Sequence, residues 1–330
     1  MVAMSIGSLY SVGRSTPAPQ PARPLPHARA AVPLGLRLLA AALFGLFALA
    51  LTAAVFVRTY TGQWLDGVLL PRAERGGGYE QQTVLVGPAK TVLATFGSPT
   101  LIATLLGAVL LVGVLRRRLV AGIVAVGMVV CVALVAGALK SALPRPDLQI
   151  ESSTTHNSFP SGHVAAATAL LLAFMLVLPG WARRWLAVPG AAGVSVIASA
   201  TMIAGWHRFS DVLGGVLLGV TLFCLAAAAL TAWPTDRDAA GRSDGGRLWH
   251  RLAEAGFGLA VLLWALVVVV PGLVASVQRG LLIAIVAAGA LTMFLVCAVV
   301  FLVRSTDFAV PLSRRSRTHP QPSPEPQKIS

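Results

Sequence analysis

No aspartate or glutamate falls inside any of the long apolar runs of this chain. Acids at membrane depth mark proton and ion pathways, so their absence counts against an ion-coupled transporter. Charge of either sign is scarce: Asp, Glu, Lys and Arg make up 12% of the residues, against 56% hydrophobic. Cysteine is scarcer still. Cys131, Cys224 and Cys297 each lie within an apolar run, and none has the spacing of a zinc or redox site; they read as small core hydrophobes. Residues 1–33 lack any apolar stretch and any signal-peptide pattern. Rich in Pro, Ala, Ser and Arg, they read as a disordered tail. No internal repeat of fixed period is present.

What is there in abundance is hydrocarbon. Apolar runs of 17 or more residues recur, each long enough to cross about 30 Å of lipid, and the mean hydropathy is +0.78. The fold class is therefore all-α, a polytopic membrane helix bundle. Eight spans are expected: Leu38–Val57, a second from the Ser98-Pro99 cap to Leu115, Leu119–Leu139, Val164–Gly180, Leu186–Gly205, Val212–Trp233, about Ala255–Val277, and Leu281–Val303. Between the first and second runs a loop of about forty residues, carrying Tyr60, Trp64 and Tyr79, reads as an ordinary loop with interfacial aromatics.

A net charge of +14 would suggest nucleic acid as the partner of a soluble protein. Here the cations instead report topology and contacts with membrane lipids, and no nucleic-acid partner is expected. With both termini cytoplasmic, 18 of the 26 Lys and Arg fall on inside segments, Arg116-Arg117-Arg118 and Arg183-Arg184 among them. That arrangement fits a multi-pass protein of the cell membrane. It divides the chain into a tail (1–33), six spans (34–233), a polar inside loop (234–254), two further spans (255–303) and a basic, Pro-rich tail (304–330). Nothing in the sequence specifies an oligomeric state.

Two polar clusters interrupt the apolar runs, and the topology places both on the extracytoplasmic face. The first holds Lys140, Arg145-Pro146, His156 and Phe159-Pro160-Ser161-Gly162-His163; the second holds His207, Arg208 and Asp211. Pro160–His163 opens a helix whose free N–H groups and positive dipole end suit a phosphate. Ser161 can cap that helix. Lys140 and Arg145 add positive charge, Arg as a fork and Lys as a point charge. His207 and Asp211, four residues apart, share one face of a helix, where the carboxylate fixes the imidazole tautomer and leaves the other nitrogen nucleophilic. His163 is then placed to protonate a leaving oxygen. Two histidines in these roles suit phosphoryl transfer through a phosphohistidine, with no metal or cofactor required. His156, Asp147 and Glu151 read as loop residues. Gly215 and Gly219 read as a close helix contact.

These residues resemble the type 2 phosphatidic acid phosphatase family, which includes the vanadium haloperoxidases. Its signature is Lys, six residues, Arg-Pro; then Pro-Ser-Gly-His; then Ser-Arg, five residues, His, three residues, Asp. Pro160–His163 completes the second part, and His207 and Asp211 supply the end of the third. The resemblance covers about residues 35–233 and implies His207 as nucleophile, His163 as acid, the basic residues as phosphate clamp, and a lipid phosphate monoester or diphosphate as substrate. Two departures stand out. Four residues separate Lys140 from Arg145-Pro146, and the third motif's Ser-Arg falls on Ala200-Thr201. Arg208 is the candidate to replace that missing arginine, although on a continuous helix it turns about 100° from His207. Competing readings are a lipid-binding or transport scaffold of weakened activity, and a lipid phosphotransferase. Phosphatidic acid, phosphatidylglycerol phosphate, polyprenyl diphosphate and glycosylated polyprenyl phosphate all satisfy the motifs.

Overall fold

The computed structural model describes residues 32–70, 83–150, 156–232 and 278–304, with 306 and 308. Every regular element among them is helical: α1 Leu34–Thr52, continued by a π-helical turn at Ala53–Val57, α2 Tyr60–Leu69, α3 Val86–Phe96, α4 Pro99–Leu115, α5 Leu119–Ala142, α6 Gly162–Val177, α7 Gly180–Ile203, α8 Phe209–Ala232 and α9 Arg279–Leu302. Five of the described helical segments are long and apolar enough to cross a membrane, and α3 with α4, bent by 51°, makes a sixth if taken as one broken span. The α6 helix is apolar but shorter, at 16 residues. The chain is a multi-pass membrane protein. The run expected near Ala255–Val277 lies outside the described residues.

The helices differ from the expected spans where polar residues find partners inside the bundle. The loop expected between the first two runs contains α2 and α3. Pro99 starts α4, but the Ser98 hydroxyl makes no capping bond there. The α5 helix runs on past Lys140 to Ala142. Arg183 and Arg184 do not precede the next span; they lie in the first turns of α7, and Pro189 is carried within it. The reason is visible at Arg183, which turns inward. Its Nε donates to the Leu178 carbonyl at 2.9 Å and its Nη1 to the Thr306 carbonyl at 2.7 Å, while the guanidinium covers the Phe308 ring. Arg118 Nη1 donates to the same Leu178 carbonyl at 3.3 Å. Cations at the carbonyl end of a helix complement its dipole. This end of the bundle carries the buried Arg118 and Arg183, and the clusters expected to form the site gather at the other.

At the centre stands α8, packed against α1, α5, α6 and α9. Its glycines set how closely α6 can approach. A methyl group on Gly215 would lie 2.8 Å from the Ser161 carbonyl and 3.1 Å from the Ala165 nitrogen, and one on Gly219 would meet Thr168. Backbone packs on backbone here, as small residues at helix contacts permit. The contact matters because Ser161 is the N-cap of α6. The glycines of α8 therefore hold its own first turn against the first turn of α6.

Candidate functional site

Each cluster is built by a helix terminus. Ser161 caps α6, its Oγ accepting the Val164 N–H at 3.5 Å, as the motif leads one to expect. Its own N–H donates to the Asp211 carbonyl at 2.8 Å, a direct tether between the two clusters. Ahead of it, the Asn157 side chain donates to the Lys140 and Phe159 carbonyls and accepts the Phe159 N–H at 3.1 Å. Asn157 thereby fastens the end of α5 to the start of α6, across a cis Phe159-Pro160 bond. Lys140, half-buried, brings its Nζ to 3.7 Å from the position a Cβ on Gly162 would take. A glycine at that position leaves the first N–H groups of α6 open beside an ammonium, as an anion site needs.

The second cluster hangs from the end of α7. Gly205, at φ 71°, follows the C-cap Ala204. Its N–H returns to the Met202 carbonyl, and the Trp206 and His207 N–H groups both return to the Thr201 carbonyl, at 2.9 and 3.2 Å. This is a glycine-terminated helix end whose reversed chain delivers His207. Helix α8 begins only at Phe209, so His207 and Arg208 precede it. The expectation that His207 and Asp211 share a helix face is thus corrected. Asp211 sits in the first turn of α8, fully buried and inside the span, and reaches back over the helix end. Its Oδ2 accepts the Arg208 N–H at 2.9 Å and the Ser158 hydroxyl at 2.5 Å. His207 Nδ1 stands 3.5 Å from that oxygen and makes no hydrogen bond.

His163 lies on the second residue of α6, half-buried, its ring 5.7 Å from that of Trp206 and close enough to His207 and Lys140 for their charges to interact. A Cβ on Gly97, at the α3–α4 break, would come within 3.3 Å of His163 Nε2. Lys140, Ser161, Gly162, His163, His207 and Asp211 therefore converge. Arg145 and Arg208 are also brought near each other, both buried and both within charge range of one carboxylate, that of Asp66. Because Arg208 precedes α8, the 100° offset expected from a continuous helix does not apply to it. His156 is exposed on the loop before α6, and Asp147 is exposed on the loop after α5, as expected.

Asp66 and Trp206 escaped the sequence reading. Asp66 is fully buried on α2, where Oδ1 accepts the Ser210 N–H at 3.2 Å and Oδ2 accepts the Ser210 hydroxyl at 2.5 Å. Burial pushes its carboxyl up to about 6, with the neighbouring Asp211 adding to the rise; the Ser210 bond and the charges of Arg208 and Arg145 pull the other way. The available signal was one acid at helical spacing from Gln63 in an otherwise apolar segment. Among the described residues, no group of three or more His, Cys, Asp or Glu side chains is arranged to hold a metal ion.

Residues 118–235, which carry both clusters apart from α2, match the PAP2 superfamily. No curated protein matches the chain. Among solved structures, the chain is similar to the first transmembrane PAP2 type phosphatidylglycerolphosphate phosphatase from Bacillus subtilis. Identity is 21% and the TM-score 0.47, over 59% of this chain and 98% of that one.

Proposed function

We propose, from the match of residues 118–235 to the PAP2 superfamily and from the geometry of the two clusters, that the protein is a metal-independent membrane phosphatase that hydrolyses a lipid phosphate monoester or diphosphate. The observation that supports this reading best is the tether between the two clusters, in which the Asp211 carbonyl holds the capping Ser161 while its carboxylate faces His207. One residue thus serves both the proposed phosphate cradle and the proposed nucleophile. In the reaction, the Nε2 lone pair of His207 attacks phosphorus, and Asp211 stabilises the charge that develops on the ring. The bond from phosphorus to the leaving oxygen breaks, and that oxygen takes a proton from His163. His163, now neutral, then removes a proton from water. The hydroxide attacks the phosphohistidine, releasing inorganic phosphate and restoring His207. Lys140, Arg145, Arg208 and the N–H groups at Gly162 and His163 balance the charge on the phosphoryl oxygens.

Purified protein is expected to release phosphate from at least one of a panel of phosphatidic acid, phosphatidylglycerol phosphate and polyprenyl diphosphate, at the same rate with and without EDTA. No release from any of them, or loss of release on chelation, would overturn this reading. Transfer of the phosphoryl group to an added alcohol in preference to water would replace hydrolysis by phosphotransfer.

The site is assigned to the extracytoplasmic face on the arginine distribution. In a background without the three native cysteines, Asp147→Cys is expected to react with an impermeant maleimide in intact cells, and Arg184→Cys only after lysis. The reverse pattern would invert the orientation.

A further inference from the structure

Helix α2 touches both halves of the site from outside the matched region. Thr59 caps it, accepting the Gly62 N–H at 3.1 Å, and Gly62 lies against the Val55 and Phe56 backbone where any Cβ would clash. These contacts seat α2 firmly on the π-helical turn below α1. From that seat, two side chains one turn apart point the same way. Gln63 Nε2 donates to the Val57 carbonyl at 2.9 Å and to the Pro146 carbonyl at 3.1 Å. Pro146 immediately follows Arg145. Asp66 holds both the N–H and the hydroxyl of Ser210, which lies between Arg208 and Asp211. Both side chains are buried, Gln63 at 1% exposure and Asp66 at 0%. At the far end of α2, the Val68 carbonyl is covered by Gly280 at the start of α9.

We infer that Asp66, seconded by Gln63, is a positioning residue: it spaces the arm carrying Arg145 from the turn carrying His207, Arg208 and Asp211, and supplies the counter-charge that lets two buried guanidiniums sit together. The inference rests on the phosphatase reading for its catalytic consequence, but its geometric content is independent of that reading. Three cations converge on the site, and like charges in a buried setting repel strongly. Asp211 is engaged by Ser158 and the Arg208 N–H, and the charge of Arg208 acts on Asp66 as well as on Asp211. Asp66 is the carboxylate on which the charges of both Arg145 and Arg208 act. Among the charged residues described on the neighbouring elements, Arg58 beyond the π-helical turn and Arg279 on α9 are both exposed.

The test uses the full-length protein in detergent, with p-nitrophenyl phosphate and phosphatidic acid as probes. Asp66→Asn keeps the size and one acceptor oxygen for the Ser210 N–H, turns the other oxygen into an amide that can only donate to the Ser210 hydroxyl, and removes the charge. It is expected to lower kcat by about tenfold or more on both probes while KM moves less than about twofold. Ser210→Ala keeps the charge and removes one bond, and its effect is expected to be non-additive with Asp66→Asn. Diethyl pyrocarbonate labelling, read by mass spectrometry, supplies a measurement that needs no turnover. The buried His207 should label faster in Asp66→Asn than in the wild type, normalised to the exposed His156. A wild type inactive on every probe would sink the phosphatase reading, and the labelling ratio would still decide the positioning role. An unchanged ratio, or wild-type kcat in Asp66→Asn, would overturn it. If Asp66→Asn does not fold, Ser210→Ala and Gln63→Ala carry the same labelling test, and unchanged ratios in both would be equally decisive.

Discussion

Replacing His207 with alanine is expected to abolish turnover of every phosphate ester, because it removes the nitrogen proposed to accept the phosphoryl group. His163→Ala should behave differently according to the leaving group. An alkyl oxygen must be protonated as it departs, and losing the general acid should cost roughly 10²–10⁴-fold. An aryl oxygen of low pKa departs without help, so p-nitrophenyl phosphate should still phosphorylate His207. Water activation is lost in the same variant. The expected trace is therefore a burst of nitrophenol equal to the enzyme present, followed by slow turnover, with phosphohistidine recoverable after alkaline quench. The intact protein should show a bell-shaped pH profile, since one histidine must be neutral while the other is protonated. Full activity of His207→Ala, on any substrate, removes it from the nucleophile's role.

The membrane class and the two clusters were legible in the sequence for a simple physical reason: charge is so costly in apolar runs that Lys140, His163, His207 and Asp211 stand out. Helix ends were legible where local chemistry sets them. Ser161 caps α6 through a hydroxyl three residues from its partner, and Gly205 ends α7 through its own backbone conformation. The ends that moved are governed by distant partners. Arg183 was expected as a surface marker, yet the Val303 and Thr306 carbonyls, 120 and more residues away in the chain, draw it inward. Asp66 was missed for the same reason. Its partner Ser210 is 144 residues away, and nothing local to Tyr60–Leu69 says that the segment folds back into the bundle. The rule that acids avoid the apolar runs also failed at Asp211, because α8 starts three residues earlier than the hydrophobic pattern does. A buried carboxylate can sit in that first turn because the Arg208 N–H and the Ser158 hydroxyl satisfy one of its oxygens.

Arg208→Ala is expected to lower kcat/KM by roughly ten- to a hundredfold, the range of one lost charge-assisted hydrogen bond of about 1.5–3 kcal/mol. Two features of the structure sharpen this expectation. Arg208 is 1% exposed, and its charge acts on both Asp66 and Asp211. Removing it leaves two buried carboxylates facing each other with less positive charge between them, so Arg208→Ala should also lose thermal stability, whereas Arg208→Lys should lose mainly activity. The family's own arginine position is Thr201, in the last turn of α7. Its hydroxyl is spent on the Ala198 carbonyl, and its carbonyl anchors the turn that presents His207. A long side chain grown from that turn starts beside the nucleophile. Thr201→Arg in the Arg208→Ala background is therefore expected to restore part of kcat/KM without restoring the stability, because the new guanidinium enters from α7 and does not replace the charge that Arg208 brings to Asp66 and Asp211. Wild-type kcat/KM in Arg208→Ala would show that Arg208 does not serve the clamp. A sharp gain from Thr201→Arg alone would instead mark the natural protein as a weakened phosphatase, and would shift the balance toward a lipid-binding scaffold.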